Sequence, residues 1–116
     1  MSTEPVVLEQ HLTPPEAVLR GSIPADLEYF AGHFLNAPVV PGVVQLKWAI
    51  EAAHRLLGVP AEVTRMEALK FQQAMLPGAV ATLKLKWVAA EGKLHFAYTC
   101  GDARFSSGRL SFGSAA

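Results

Sequence analysis

The chain lacks most of the features that would settle a function at a glance. It has a single cysteine, Cys100, so no internal disulfide can form, and a reducing compartment suits it. It has no excess charge: ten Lys and Arg residues balance ten Asp and Glu residues. A nucleic-acid or anionic-membrane partner would call for a basic surplus, and neither is expected. Charged residues make up only 17% against 51% hydrophobic, which excludes disorder and suggests that some apolar surface is hidden in an oligomer. No apolar run approaches the ~20 residues of a membrane-spanning helix. Met1–Pro5 carries Glu4 and does not read as a signal peptide. His11, His54 and His95 fall on separate elements without metal-ligand spacing. One cytoplasmic domain over residues 1–116 is expected, with no membrane insertion, metal or redox cofactor.

What the chain does have is two kinds of periodicity. Val6–Thr13 and Glu16–Ile23 alternate with a period of two around Pro14-Pro15, which predicts two hairpin-paired strands. Pro24 to Leu27 reads as a turn or a single helical turn. Val43–Leu57 is the single long helical pattern, apolar nearly all round, with Lys47, Glu51, His54 and Arg55 as a narrow polar stripe. Gly58 and Pro60 stop it. Beyond it the period returns to two. Strands are expected over Val63–Met75, Val80–Ala90, Leu94–Cys100 and Ala103–Phe112, three or four of them as a meander. Cys100 falls on the inward face by this pattern and reads as packing. The fold class is α+β, one curved antiparallel sheet wrapped around a central helix.

The chemistry gathers just before that helix. Gly32-His33-Phe34 lies in a loop, and Pro41-Gly42 opens the helix. An imidazole near its ordinary pKa can remove a proton at neutral pH, which makes His33 a candidate base. The first N–H groups of a helix have no intrahelical acceptor, so those of Gly42 and Val43 can meet a developing oxyanion. Gly42 can equally be a simple entry turn.

Gly32-His33-Phe34 and Pro38-Val39-Val40-Pro41-Gly42-Val43, followed by the helix, resemble the signature of hot-dog-fold 3-hydroxyacyl-ACP dehydratases of the FabZ and FabA kind. The continuation Val43-Val44-Gln45-Leu46-x-Trp48-Ala49 is most similar to the ApeI-like branch, associated with aryl-polyene pathways. Phe71-Gln72-Gln73 and Pro77-Gly78 are also similar to the strand and turn after the helix in that family. The resemblance implies a dimer that accepts an acyl thioester, on acyl carrier protein or CoA, between its subunits. His33 would remove the α-proton and the Gly42 N–H would steady the thioester oxygen. A carboxylate from the other subunit's helix would protonate the leaving hydroxyl. Phe34, Pro38, Val43 and Trp48 are the substrate-binding candidates, and Lys84, Lys86, Arg104 and Arg109 are candidates for a carrier-facing surface.

The position of that carboxylate, fourteen residues after the histidine, is Lys47. A lysine starts near 10.4 and needs burial to fall towards neutrality. Four readings stay open: Lys47 belongs to the solvated stripe; its ammonium is the acid; Glu51, one turn on, is a displaced acid; or a different hot-dog subunit supplies the carboxylate. A dehydratase is the first expectation. Its rivals are a non-catalytic or heterodimer-partner subunit and a thioesterase on the same fold.

Overall fold

Strand β1 (Val6–Thr13) and strand β2 (Glu16–Ser22) pair antiparallel across Pro14-Pro15, as the alternation anticipates. A register shift between Val7 and Glu9 breaks the pattern, and every residue of β1 is exposed, so neither of its faces is a core face. The molecule is a computed structural model that describes residues 2–28, 38–60 and 62–113, and the remaining elements follow in chain order. They are α1 (Gly42–Leu57), β3 (Val63–Phe71), β4 (Val80–Val88), β5 (Lys93–Cys100) and β6 (Ala103–Phe112). All strand pairs are antiparallel, in the spatial order β1-β2-β4-β5-β6-β3.

The inward set is the one that alternation selects. Ala17 and Leu19 of β2, Ala81, Leu83 and Leu85 of β4, and Leu94, Phe96 and Tyr98 of β5 are all buried. Against them α1 lays Val44, Leu46, Trp48, Ala49, Ala52 and Ala53, and the alanines let its backbone come close to the sheet. Lys47, Glu51, His54 and Arg55 are exposed, as the polar stripe requires. Gly58 ends the helix in the left-handed region at φ 69°, where its N–H reaches the Ala53 carbonyl. The helix-wrapped antiparallel sheet of a hot-dog fold is therefore present.

Four expectations need correction. The strand after the helix stops at Phe71, not Met75, because the N–H groups of Gln72 and Gln73 both turn onto the Phe105 carbonyl. Met75 then drops into the core, where its carbonyl accepts from the Val40 N–H at 2.9 Å. Second, of the three or four strands expected in the meander only three belong to it: β3 crosses to the far edge and pairs with β6. Only β4-β5-β6 is a meander. Third, Cys100 is exposed, since it ends β5 at the Gly101-Asp102 turn, beyond the cover of the helix. The strand expected to reach Ala90 also ends sooner, at Val88, where Glu91 N–H closes a turn onto the Val88 carbonyl.

Candidate functional site

Among the described residues helix α1 begins without a side-chain cap. Pro41 occupies the cap position, the first turn has no acidic residue, and the Pro41 carbonyl accepts from Val44 and Gln45 N–H at 3.0 and 3.2 Å. Among the described residues the N–H groups of Gly42 and Val43 have no acceptor. Gly42 is glycine for a steric reason: a Cβ there would lie 2.7 Å from the Phe71 ring. The β3 edge thus comes right up to the helix start, and the Gly42 amide sits in a cradle shaped by an aromatic ring. Val43, next to it, is 74% exposed. Pro38 is half-buried on the approach to the helix. Candidate base His33 and Phe34 lie outside the described residues.

Lys47 and Glu51 share the outer stripe but face different surroundings. Glu51 lines a cleft of about 90 Å³ between α1 and the β1–β2–β4 part of the sheet, and Lys47 does not. The floor of the cleft is apolar, with Leu19, Ile23, Trp48, Ala52 and Leu83, and Arg20 and Arg55 stand with Glu51 in its wall. Trp48 is buried, and its indole Nε1–H donates to the Thr3 carbonyl at 3.1 Å, which ties the N-terminal segment over the helix. The structure therefore groups Trp48 with Glu51 in the cleft. Gly42 and Val43 belong to the helix start.

The other histidines and basic residues have local partners or open surroundings. His54 donates Nδ1–H to the Val59 carbonyl at 2.7 Å, closing the C-terminal turn of α1. No cluster able to hold a metal occurs among the described residues. Lys84 and Lys86 are exposed on β4, whereas Arg109 lies 3.9 Å from the Glu67 carboxylate.

Helical spacing pointed to the outer stripe and passed over Gln45, which faces inward. It is buried at 3% exposure, and Ser106, fully buried on β6, donates Oγ–H to its Oε1 at 2.6 Å. Its Nε2 donates to the Val40 carbonyl at 3.2 Å, and its own carbonyl accepts the Tyr98 hydroxyl at 2.6 Å. Burial drives the Tyr98 phenol far above its ordinary pKa, so this hydroxyl keeps its proton and acts as a donor. The only available signal was a glutamine at an otherwise apolar core position of the helix.

Comparison with known proteins accords with this geometry. A family model described as ApeI-like, ApeI dehydratase, matches residues 9–109. The 3-hydroxyacyl-[acyl-carrier-protein] dehydratase FabZ of Chlamydia trachomatis is 33% identical, covering 91% of this chain and 77% of that protein. Among solved structures, the dehydratase heterocomplex ApeI:P from Xenorhabdus doucetiae superposes with a TM-score of 0.90 at 27% identity, covering 97% of this chain and 100% of the other. An uncharacterized protein from Erwinia carotovora subsp. atroseptica gives 0.84 at 33% identity, over 97% and 98%. Proline-led helix start, crowded glycine and wrapped sheet thus occur in a chain that belongs to the ApeI-like family of hot-dog dehydratases.

Proposed function

We propose that this chain is a 3-hydroxyacyl-[acyl-carrier-protein] dehydratase, a hydro-lyase that removes water from a carrier-bound 3-hydroxyacyl thioester and leaves the trans-2-enoyl thioester. The observation that carries this reading is the start of α1, where the Gly42 and Val43 N–H groups have no acceptor among the described residues. A thioester oxygen that gains charge as the α-proton leaves would be met there by two donors and the positive end of a helix dipole. His33 takes the α-proton. The electron pair of the C–H bond forms the α,β double bond, and the β-hydroxyl departs with a proton as water. The apolar cleft floored by Trp48, Leu19 and Leu83 receives the acyl chain, while the carrier stays outside.

The proton for the leaving hydroxyl is the point at which this chain departs from what the resemblance implies. A homodimer offers Lys47 where the resemblance calls for a carboxylate. A heterodimer with a second hot-dog subunit would restore that carboxylate opposite His33, and the likeness to a dehydratase heterocomplex supports this second reading. Fatty-acid or aryl-polyene assembly would supply the substrate in either case.

The test is to offer 3-hydroxyacyl carrier protein to the purified chain and follow the acyl mass. Loss of one water, abolished by His33→Ala, is the expected result, and a large gain on Lys47→Asp or Lys47→Glu would show that the acid was missing. Turnover only after a second hot-dog subunit is added supports the heterodimer. Release of the free acid would replace this reading by the thioesterase.

A further inference from the structure

We propose that Gln45 is the positioning residue of the helix start: its amide, anchored by Ser106, holds the Val40–Gly42 turn that aims the Gly42 N–H. The inference rests on the role given to Gly42 above, but the holding itself is a matter of hydrogen-bond geometry. Among the described residues Gln45 and Ser106 are the buried polar side chains, and no buried side-chain polar atom there is left unsatisfied. An uncharged polar pair in an apolar core is costly unless both members are bonded, and leucine or methionine would fill the same space without that demand. Gln45 must be bonded to something that matters.

The orientation of its amide follows by elimination. The Val40 carbonyl can only accept, so the nitrogen must face it, at 3.2 Å. Oε1 then faces Ser106, whose hydroxyl must donate, at 2.6 Å. The Val40 carbonyl therefore fixes which end of the amide is turned to the loop, and Ser106 holds the opposite end in place. Val40 is gripped at both of its polar groups: the N–H by the Met75 carbonyl at 2.9 Å and the carbonyl by Gln45. One residue later the Gln45 main-chain N–H takes the Pro41 carbonyl at 3.2 Å. A single residue thus binds two successive carbonyls immediately before Gly42, one with its side chain and one with its backbone. The Phe71 ring closes the other side of Gly42. Gln45 is itself anchored to β5 by the Tyr98 hydroxyl and to β6 by Ser106, so the sheet sets the aim of the helix start.

The test compares Gln45→Met, close in volume but without the amide, with Ser106→Ala and with the double variant. Two readouts are used, amide exchange in the resting protein and dehydration kinetics. The Val40 N–H should exchange at least about tenfold faster in Gln45→Met, while the Ile23 N–H, bonded to the Ala79 carbonyl at 2.8 Å on another part of the fold, keeps its parent rate. The kcat should fall by about tenfold to a hundredfold with KM within about threefold, because a misdirected oxyanion donor weakens only the transition state. Ser106→Ala should change both readouts in the same direction and less, and the double variant should be no worse than Gln45→Met. Should Gln45→Met not fold, Ser106→Ala carries the same comparison with the loss of one oxygen. Unchanged Val40 exchange, or equal acceleration at Ile23, overturns the inference. A parent protein that dehydrates nothing overturns the proposed function instead, and Val40 exchange still decides the role of Gln45.

Discussion

Gly42 stands between two opposing effects. Alanine is favoured over glycine in a helix by up to ~1 kcal/mol, so Gly42→Ala alone ought to stabilise α1. Its methyl group, however, would lie 2.7 Å from the Phe71 ring, which has to yield. Overpacking of this kind costs about 1–3 kcal/mol, and less where the neighbour can swing outward; Phe71 is 51% exposed. The two terms are close enough that the partner residue decides the sign. Gly42→Ala should lower the melting temperature, and Gly42→Ala in a Phe71→Ala background should raise it relative to Phe71→Ala alone. Thermal unfolding of the four proteins measures this, and destabilisation in both backgrounds would show that the ring is not the reason for glycine. The same residues show why the site was only partly legible. Pro41-Gly42 before an apolar helix marks an entry turn in any sequence. That an aromatic ring twenty-nine residues later fills the missing side chain's place depends on where β3 lies, and no local pattern reveals that. Gln45 was hidden likewise: its partners Tyr98 and Ser106 are more than fifty positions away.

Strand β3 is the element that local reading served least well. It lies at a sheet edge, pairs only with β6, and is interrupted where Ala68 adopts φ 50° and the register slips between Glu67 and Lys70. Such a bulge bends an edge strand and discourages open-ended pairing. Alternation over β2, β4 and β5 was readable because one face of each is covered by α1, whereas β3 has no such cover and its pattern is uninformative. What holds β3 beside its neighbours includes charge. Glu67 sits 3.4 Å from Lys93 Nζ and 3.9 Å from both Arg65 and Arg109. The hydrogen bond from Lys93 first, and then the three positive charges, hold the Glu67 carboxyl below its ordinary value. Its pKa is lower folded than unfolded, so this contribution is present above the unfolded value near 4.5 and is lost as pH falls through the folded one. Parent and Glu67→Gln should differ in melting temperature at pH 7 and converge as pH falls towards 3, by a small amount because the pairs are solvated. A gap that widens on acidification would contradict this account.

At the scale of the molecule, β1 leaves apolar residues exposed at one edge of the sheet, and a second uncovered apolar group lies where the proposed chemistry needs another chain. Val43 is 74% exposed, Phe71 51% and Leu76 48%, and the Phe71 ring touches Gly42 at the helix start. Met66, at 50%, extends the exposed apolar residues along the β3 edge. Surface of this kind is expected to be covered by another subunit. If the proton donor crosses from that subunit, base and acid belong to different chains and can be supplied separately. The parent has His33 and lacks the carboxylate; His33→Ala/Lys47→Asp has the carboxylate and lacks the base. Neither protein alone can assemble a full site with a carboxylate acid, but a mixed dimer contains one complete pair. Co-expression of the two, with different affinity tags to isolate the mixed species, should therefore yield dehydration well above that of either homodimer. The gain should vanish when the second protein is His33→Ala with Lys47 intact. Activity equal to the mean of the two homodimers would mean that the acid acts within one chain, and Lys47 or Glu51 of that same chain would then have to provide it.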